Sequence, residues 1–141
     1  MIIDTTYLLP LAGIEVDTDL LRASIENRIN LDIHEMKISL ISLFEIQAKA
    51  SKLDIPPQRV ADAVDAILRN FDVIPFYRGD IIQYAHELKA LISDYIDRII
   101  IATAIALNED LITEDKLIIT HRDYLKRKYG LNILTYKDLL T

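Results

Sequence analysis

The 141-residue chain has no cysteine. That excludes a disulfide, a thiolate metal site and a cysteine nucleophile, and it suits a reducing cytosol. Glycine occurs only three times, so the glycine-rich loops that cradle phosphate are missing, with neither a Walker motif nor a dinucleotide fingerprint. There is no Gly-x-Ser-x-Gly elbow, and Ser24, Ser39, Ser42, Ser51 and Ser93 all fall in helical or strand patterns. His34, His86 and His121 lie in polar surroundings without ligand spacing and read as solvated surface histidines. No apolar run approaches the roughly 18 residues of a membrane span. The start, Met1-Ile2-Ile3-Asp4, lacks the basic region and apolar core of a signal peptide, so a cytoplasmic location with no membrane partner is expected. A basic excess is absent too: 16 basic against 22 acidic residues leave a net charge of −6. That argues against a basic patch gripping nucleic acid nonspecifically.

What is present is a core. An apolar share of 51% and a charged share of 27% are those of a globular protein, and the length fits one domain over residues 1–141. Short apolar strands are expected near residues 1–4, 36–41, 72–74, 110–113 and 132–134, separated by helical periodicity. That alternation predicts an α/β fold, a central parallel sheet of about five short strands with helices on both faces. Pro56-Pro57 marks a helix start and Gly130 a helix end. Ser42-Leu43-Phe44-Glu45 has the form of a capping box, and the inner face of its helix reads as Leu43, Ile46, Gln47, Ala50 and Leu53. Residues 99–107 are apolar except for Thr103, which predicts a helix buried on every side and opened by Asp97.

Carboxylates punctuate these elements. Asp4 follows the first strand, Asp115 the fourth, Asp97 begins the buried helix, and Glu45 lies one turn into another. In a parallel sheet the strand ends and the starts of the following helices converge on one edge. Several acids there repel one another unless cations lie between them, and such a cluster becomes much less negative once loaded. Oxygen ligands without Cys or His select Mg²⁺ or Mn²⁺ over Zn²⁺. Taken singly each acid has a plain alternative. Asp4 and Asp97 can be helix caps and Asp115 a turn residue, while Glu45 can serve its capping box or pair with Lys49.

Taken together, Ile-Ile-Asp-Thr-Thr at 2–6, the helix with Glu45, Asp-Arg-Ile-Ile-Ile-Ala-Thr-Ala at 97–104 and Leu-Ile-Thr-Glu-Asp at 111–115 resemble the successive motifs of PIN domains. Among them the chain is most similar to the VapC-type toxin ribonucleases. The resemblance implies a Rossmann-like fold and a Mg²⁺- or Mn²⁺-dependent endoribonuclease that leaves a 5′-phosphate. It also implies a homodimer and a VapB-like antitoxin partner. Asp4, Glu45, Asp97 and Asp115 match the four acids, with Asp94 a competing choice for the third. Thr6 stands where the family has a small hydroxyl or amide residue, and Thr113 matches the threonine before the last acid. Lys49, Lys52 and Arg98 are candidate RNA contacts, as are His121-Arg122 and Lys126-Arg127-Lys128. Two other functions stay open: an RNA-processing nuclease without an antitoxin, and a nuclease-dead module that binds RNA or protein. The stretches Asp17 to Arg28 and Pro57 to Leu68 are candidates for a groove that receives a partner helix.

Overall fold

Each of the five expected strands forms in the computed structural model, which describes residues 1–141. They are β1 (Ile2–Ile3), β2 (Lys37–Ser39), β3 (Asp72–Ile74), β4 (Leu111–Ile112) and β5 (Ile133–Leu134). All pair in parallel, in the order β3-β2-β1-β4-β5. Ile2 is registered with Lys37 on one side and Leu111 on the other, which makes β1 the central strand. The chain first builds outward through β2 to β3, then returns past β1 to add β4 and β5. The sheet order therefore reverses between β1 and β4, the place where open parallel sheets form a crevice at their carboxyl ends.

Successive strand residues point to opposite faces, and here both faces are covered. Ile3, Ile38 and Ile112 join one core with a 3₁₀ segment at Thr5–Ala12. The same core takes in α1 (Leu20–Ile25), α2 (Ile41–Lys52) and α3 (Pro57–Asn70). Ile2, Leu111 and Ile133 face the other core, under α5 (Tyr95–Leu107), α6 (Lys116–Thr120) and α7 (Arg122–Tyr129). α4 (Gly79–Glu87) covers the outer side of α5, setting Ile81 and Ala85 against Ile99 and Ala102. Because α5 lies between the sheet and α4, Ile99 to Ala104 are buried without a break. The one polar member of that run, Thr103, donates its hydroxyl to the Ile99 carbonyl at 2.7 Å, so nothing polar is left unpaired in the layer. α7 ends on Gly130 at φ 70°, the left-handed conformation that a residue without Cβ adopts freely. A short α8 (Tyr136–Leu139) closes the chain. No helix is long and apolar enough to cross a membrane.

Three local expectations are corrected. Leu40 already has helical backbone angles, so α2 begins before Ser42, and no side chain caps it. Ser42 is buried in the first turn rather than capping it, and Glu45 faces another partner. On the same helix, Gln47 and Leu53 are exposed, because Leu53 already lies past the last helical turn. At the buried helix, Asp94 rather than Asp97 is the cap: α5 starts at Tyr95, and Asp97 is its third residue.

These positions predict a contrast along one helix. Ile46 is fully buried, whereas Leu53 is 59% exposed. In urea unfolding, Ile46→Ala should cost about 2–5 kcal/mol, and Leu53→Ala should stay within about 0.5 kcal/mol of the parent.

Candidate active site

The site is built outward from Asp4. Its backbone N–H donates to the Ile112 carbonyl at 3.1 Å, which carries the pairing of β1 and β4 one residue past the strands. That pairing brings the end of β4 to the Asp4 side chain. Oδ1 accepts from the Thr5 amide at 2.7 Å, and Oδ2 accepts from the Thr113 hydroxyl at 2.7 Å. Burial pushes the Asp4 carboxyl above the usual carboxylate range, while these two donors pull the other way. The Thr113 hydroxyl in turn accepts the Asp115 amide at 3.0 Å. Asp115 caps α6 by accepting from the Ile118 amide at 3.1 Å. Thr113 thus ties two acids to one hydroxyl.

Glu45 arrives from α2 and is fastened by Thr5. The Thr5 hydroxyl donates to Glu45 Oε1 at 2.5 Å and lies 2.8 Å from the Ser42 hydroxyl. Asp4 and Glu45 therefore share Thr5, one through its amide and the other through its hydroxyl. Burial raises the Glu45 carboxyl, and the negative field of Asp4 adds to that. Lys49, one turn on, opposes both effects with its positive charge.

Asp97 completes the group. It is half-buried on the first turn of α5, behind Asp94, whose side chain accepts the Asp97 amide at 3.0 Å. Burial, followed by the fields of Asp94, Asp4, Asp115 and Glu45, pushes its carboxyl up to about 7. Every charged neighbour that shifts Asp97 is an acid. Asp94 itself is exposed and engaged as the helix cap.

No three of these acids close into a ready-made ligand cage. The donor set nonetheless suits a hard cation. All its members offer carboxylate or hydroxyl oxygen, and each Asp4 oxygen, with one hydrogen bond accepted, keeps a lone pair free. A divalent ion among them would relieve the repulsion that raises Asp97.

Cationic candidates separate by geometry. Lys49 acts on the acids, while Lys52 is exposed at the last position of α2. Arg98 faces its own loop: the guanidinium donates to the Ile92 and Ser93 carbonyls at 2.6 and 2.9 Å and lies over the Tyr95 ring. It braces the turn into α5. Arg122 donates to the Ile133 carbonyl at 2.6 Å and Lys126 to the Asn132 side chain at 2.6 Å, while Lys128 lies over Tyr124 and Tyr129. His34 and His86 are exposed, and His121 is the C-cap of α6. Thr6 is half-buried, and its neighbour Thr5 carries the joining contacts. Thr5, Ser42, Tyr7 and Glu114 were missed from the sequence. Only the adjacency of Thr5 to Asp4 could have signalled any of them.

A parallel α/β domain with acids gathered at the switch-point edge of its sheet defines a Rossmann-like class of protein. A family model described as the PIN domain matches residues 1–122, and the chain belongs to the PIN domain family. PIN domains are in general nucleases. Solved structures with the same fold include VapBC2 from Rickettsia felis bound to a DNA fragment from its promoter. That chain is 22% identical, with a TM-score of 0.62 over 96% of this chain and 97% of that one. DNA-bound VapBC from Salmonella typhimurium is 20% identical, with a TM-score of 0.65 over 95% and 96%. FitAcB from Neisseria gonorrhoeae is 14% identical, with a TM-score of 0.65 over 95% and 96%. No curated protein sequence matches the chain.

The raised carboxyl of Asp97 predicts a pH dependence of stability. The folded chain retains a proton up to about pH 7 that an unfolded aspartate, near 3.8, has already released. Metal-free stability should therefore be greatest below about pH 4 and fall as pH rises towards 7. Asp4 and Glu45 shift in the same direction. Thermal melts in EDTA should show a lower Tm at pH 8 than at pH 5, and Asp97→Asn should raise the Tm at pH 8. A Tm that climbs with pH over that range would count against the cluster.

Proposed function

We propose that the protein is a Mg²⁺- or Mn²⁺-dependent endoribonuclease acting as the toxin of a VapBC-type pair. The observation that carries this reading is Asp97, whose charged neighbours are four further acids from three other parts of the chain and from its own cap. The family and the structural relatives support it. In this reading Asp4, Asp97 and Asp115 hold the cation, and Glu45 coordinates it or orients a water. Bound there, the ion would polarise the scissile phosphate and make a water more acidic.

The chain's own residues prepare the rest. Thr113 and the Thr5 amide hold Asp4 in one orientation, and the Thr5 hydroxyl does the same for Glu45. Such supporting contacts tune how well a carboxylate presents its free lone pairs. Lys49 is the cation placed to meet an RNA phosphate, with Lys52 one turn further out. Thr6 is assigned to hold a phosphate oxygen, following the family pattern. RNA is the substrate, the cytoplasm the location, and a homodimer the assembly.

For the antitoxin, a groove between α2 and α3 offers a place. It has a volume of about 390 Å³ and is lined by Gln47, Pro57, Val60, Ala61, Val64, Asp65 and Leu68. Phe44, next to Glu45, is 61% exposed on α2. An amphipathic partner helix suits such a surface.

Purified protein should cleave RNA with Mn²⁺ or Mg²⁺ and stop on addition of EDTA. Asp4→Asn or Asp97→Asn should each lower the rate about 100-fold or more, since losing the ion's charge stabilisation removes several kcal/mol. Cleavage that survives chelation overturns the mechanism. Leu68→Glu should abolish co-purification with the product of a short neighbouring gene while leaving RNA cleavage unchanged. Capture that is indifferent to this change places the partner elsewhere.

A further inference from the structure

Glu114 lies between Thr113 and Asp115, in the loop that supplies both the hydroxyl on Asp4 and the fourth acid. It is exposed, yet its carboxylate is held from two sides. The Tyr7 hydroxyl donates to Glu114 Oε2, and the Tyr136 amide donates to the same oxygen at 2.9 Å. Tyr7 is fully buried in the 3₁₀ segment that follows Asp4, and Tyr136 is the first residue of α8. Glu114 is thus fastened both to the continuation of β1 and to the last helix of the chain.

We propose that Tyr7 and Glu114 form a clamp that positions the Thr113–Asp115 loop, and through it Asp115, for the cation. This rests on the metal-site reading above. Thr113 and Asp115 are each engaged by their own hydrogen bonds, to Asp4 and to the start of α6. A shift of the loop between them disturbs two acids at once. Glu114 is a positioning residue: its bound oxygen is occupied by a phenol and an amide, away from any ion. Tyr7 needs this acceptor as much as Glu114 needs the donor, because a buried hydroxyl without a partner is costly. Burial and the neighbouring Glu114 carboxylate both push the Tyr7 phenol upward, so it remains a donor at any working pH.

The test uses the full chain and Mn²⁺ alone as probe, with free Mn²⁺ followed by electron paramagnetic resonance. Tyr7→Phe and Glu114→Ala should each weaken Mn²⁺ binding about 10- to 100-fold, the usual effect of losing a support for a ligand. The double variant should be no worse than either alone, because both remove one contact. Glu114→Gln keeps an oxygen that accepts from Tyr7 and Tyr136, and it should bind like the parent. Amide hydrogen exchange at Glu114–Lys116 and Tyr136 should speed up in Tyr7→Phe and Glu114→Ala alone. Tyr7→Phe removes one oxygen and keeps the ring in the core, so it carries the test if Glu114→Ala does not fold. Unchanged Mn²⁺ affinity in Tyr7→Phe overturns the clamp. So does a loss in Glu114→Gln equal to that in Glu114→Ala, which would make Glu114 itself a ligand. A parent protein that binds no Mn²⁺, or an Asp4→Asn variant that binds as tightly as the parent, removes the metal site and the clamp with it.

Discussion

A carboxylate sits at the end of the central strand with only 9% of its residue exposed. Burying such a group is expensive unless donors meet both its oxygens. Asp4 has one donor from its own next residue and one from the end of β4. The second is available only if β1 and β4 pair in register, so the fold's central pairing and the site's central acid depend on one geometry. The remaining acids are then placed by elements that converge on that edge for reasons of packing. Glu45 comes with α2, Asp97 with α5 and Asp115 with the start of α6.

This convergence works against the metal-free fold and in favour of a charged ligand. Asp97 is raised because its surroundings are apolar behind and acidic in front. What holds it there is the apolar run from Ile99 to Ala104, packed between the sheet and α4. Arg98 secures the turn just before that run through two backbone carbonyls. The first turn of α5 therefore has a rigid body behind it, which lets repelling carboxylates stay close instead of relaxing apart. Strain at a site that is held by a well-packed scaffold is a common arrangement in functional proteins.

Much of the architecture could be read along the chain. All five strands, the Pro57 start of α3, the Gly130 end of α7 and the buried character of α5 follow from local pattern, because periodicity and backbone preference are short-range properties. The four acids could be named for the same reason, each being tied to the end of an element. The ends themselves were less legible. Asp94 and Asp97 compete for one cap within a single turn, and Ser42 looks like a cap although the helix has begun before it. In both places one residue of register separates the alternatives, and local preference does not resolve so little.

By itself the sequence determined the order of elements, their two-faced burial and the set of acids at their ends, since these depend on residues a few positions apart. Only the tertiary structure decided which hydroxyls serve those acids. Thr5 meets Glu45 across 40 residues, Thr113 meets Asp4 across 109, and Tyr7 meets Glu114 across 107. No periodicity links such pairs. They meet because parallel pairing brings the carboxyl ends of β1 and β4 side by side, and a hydrogen bond requires its atoms within about 3 Å.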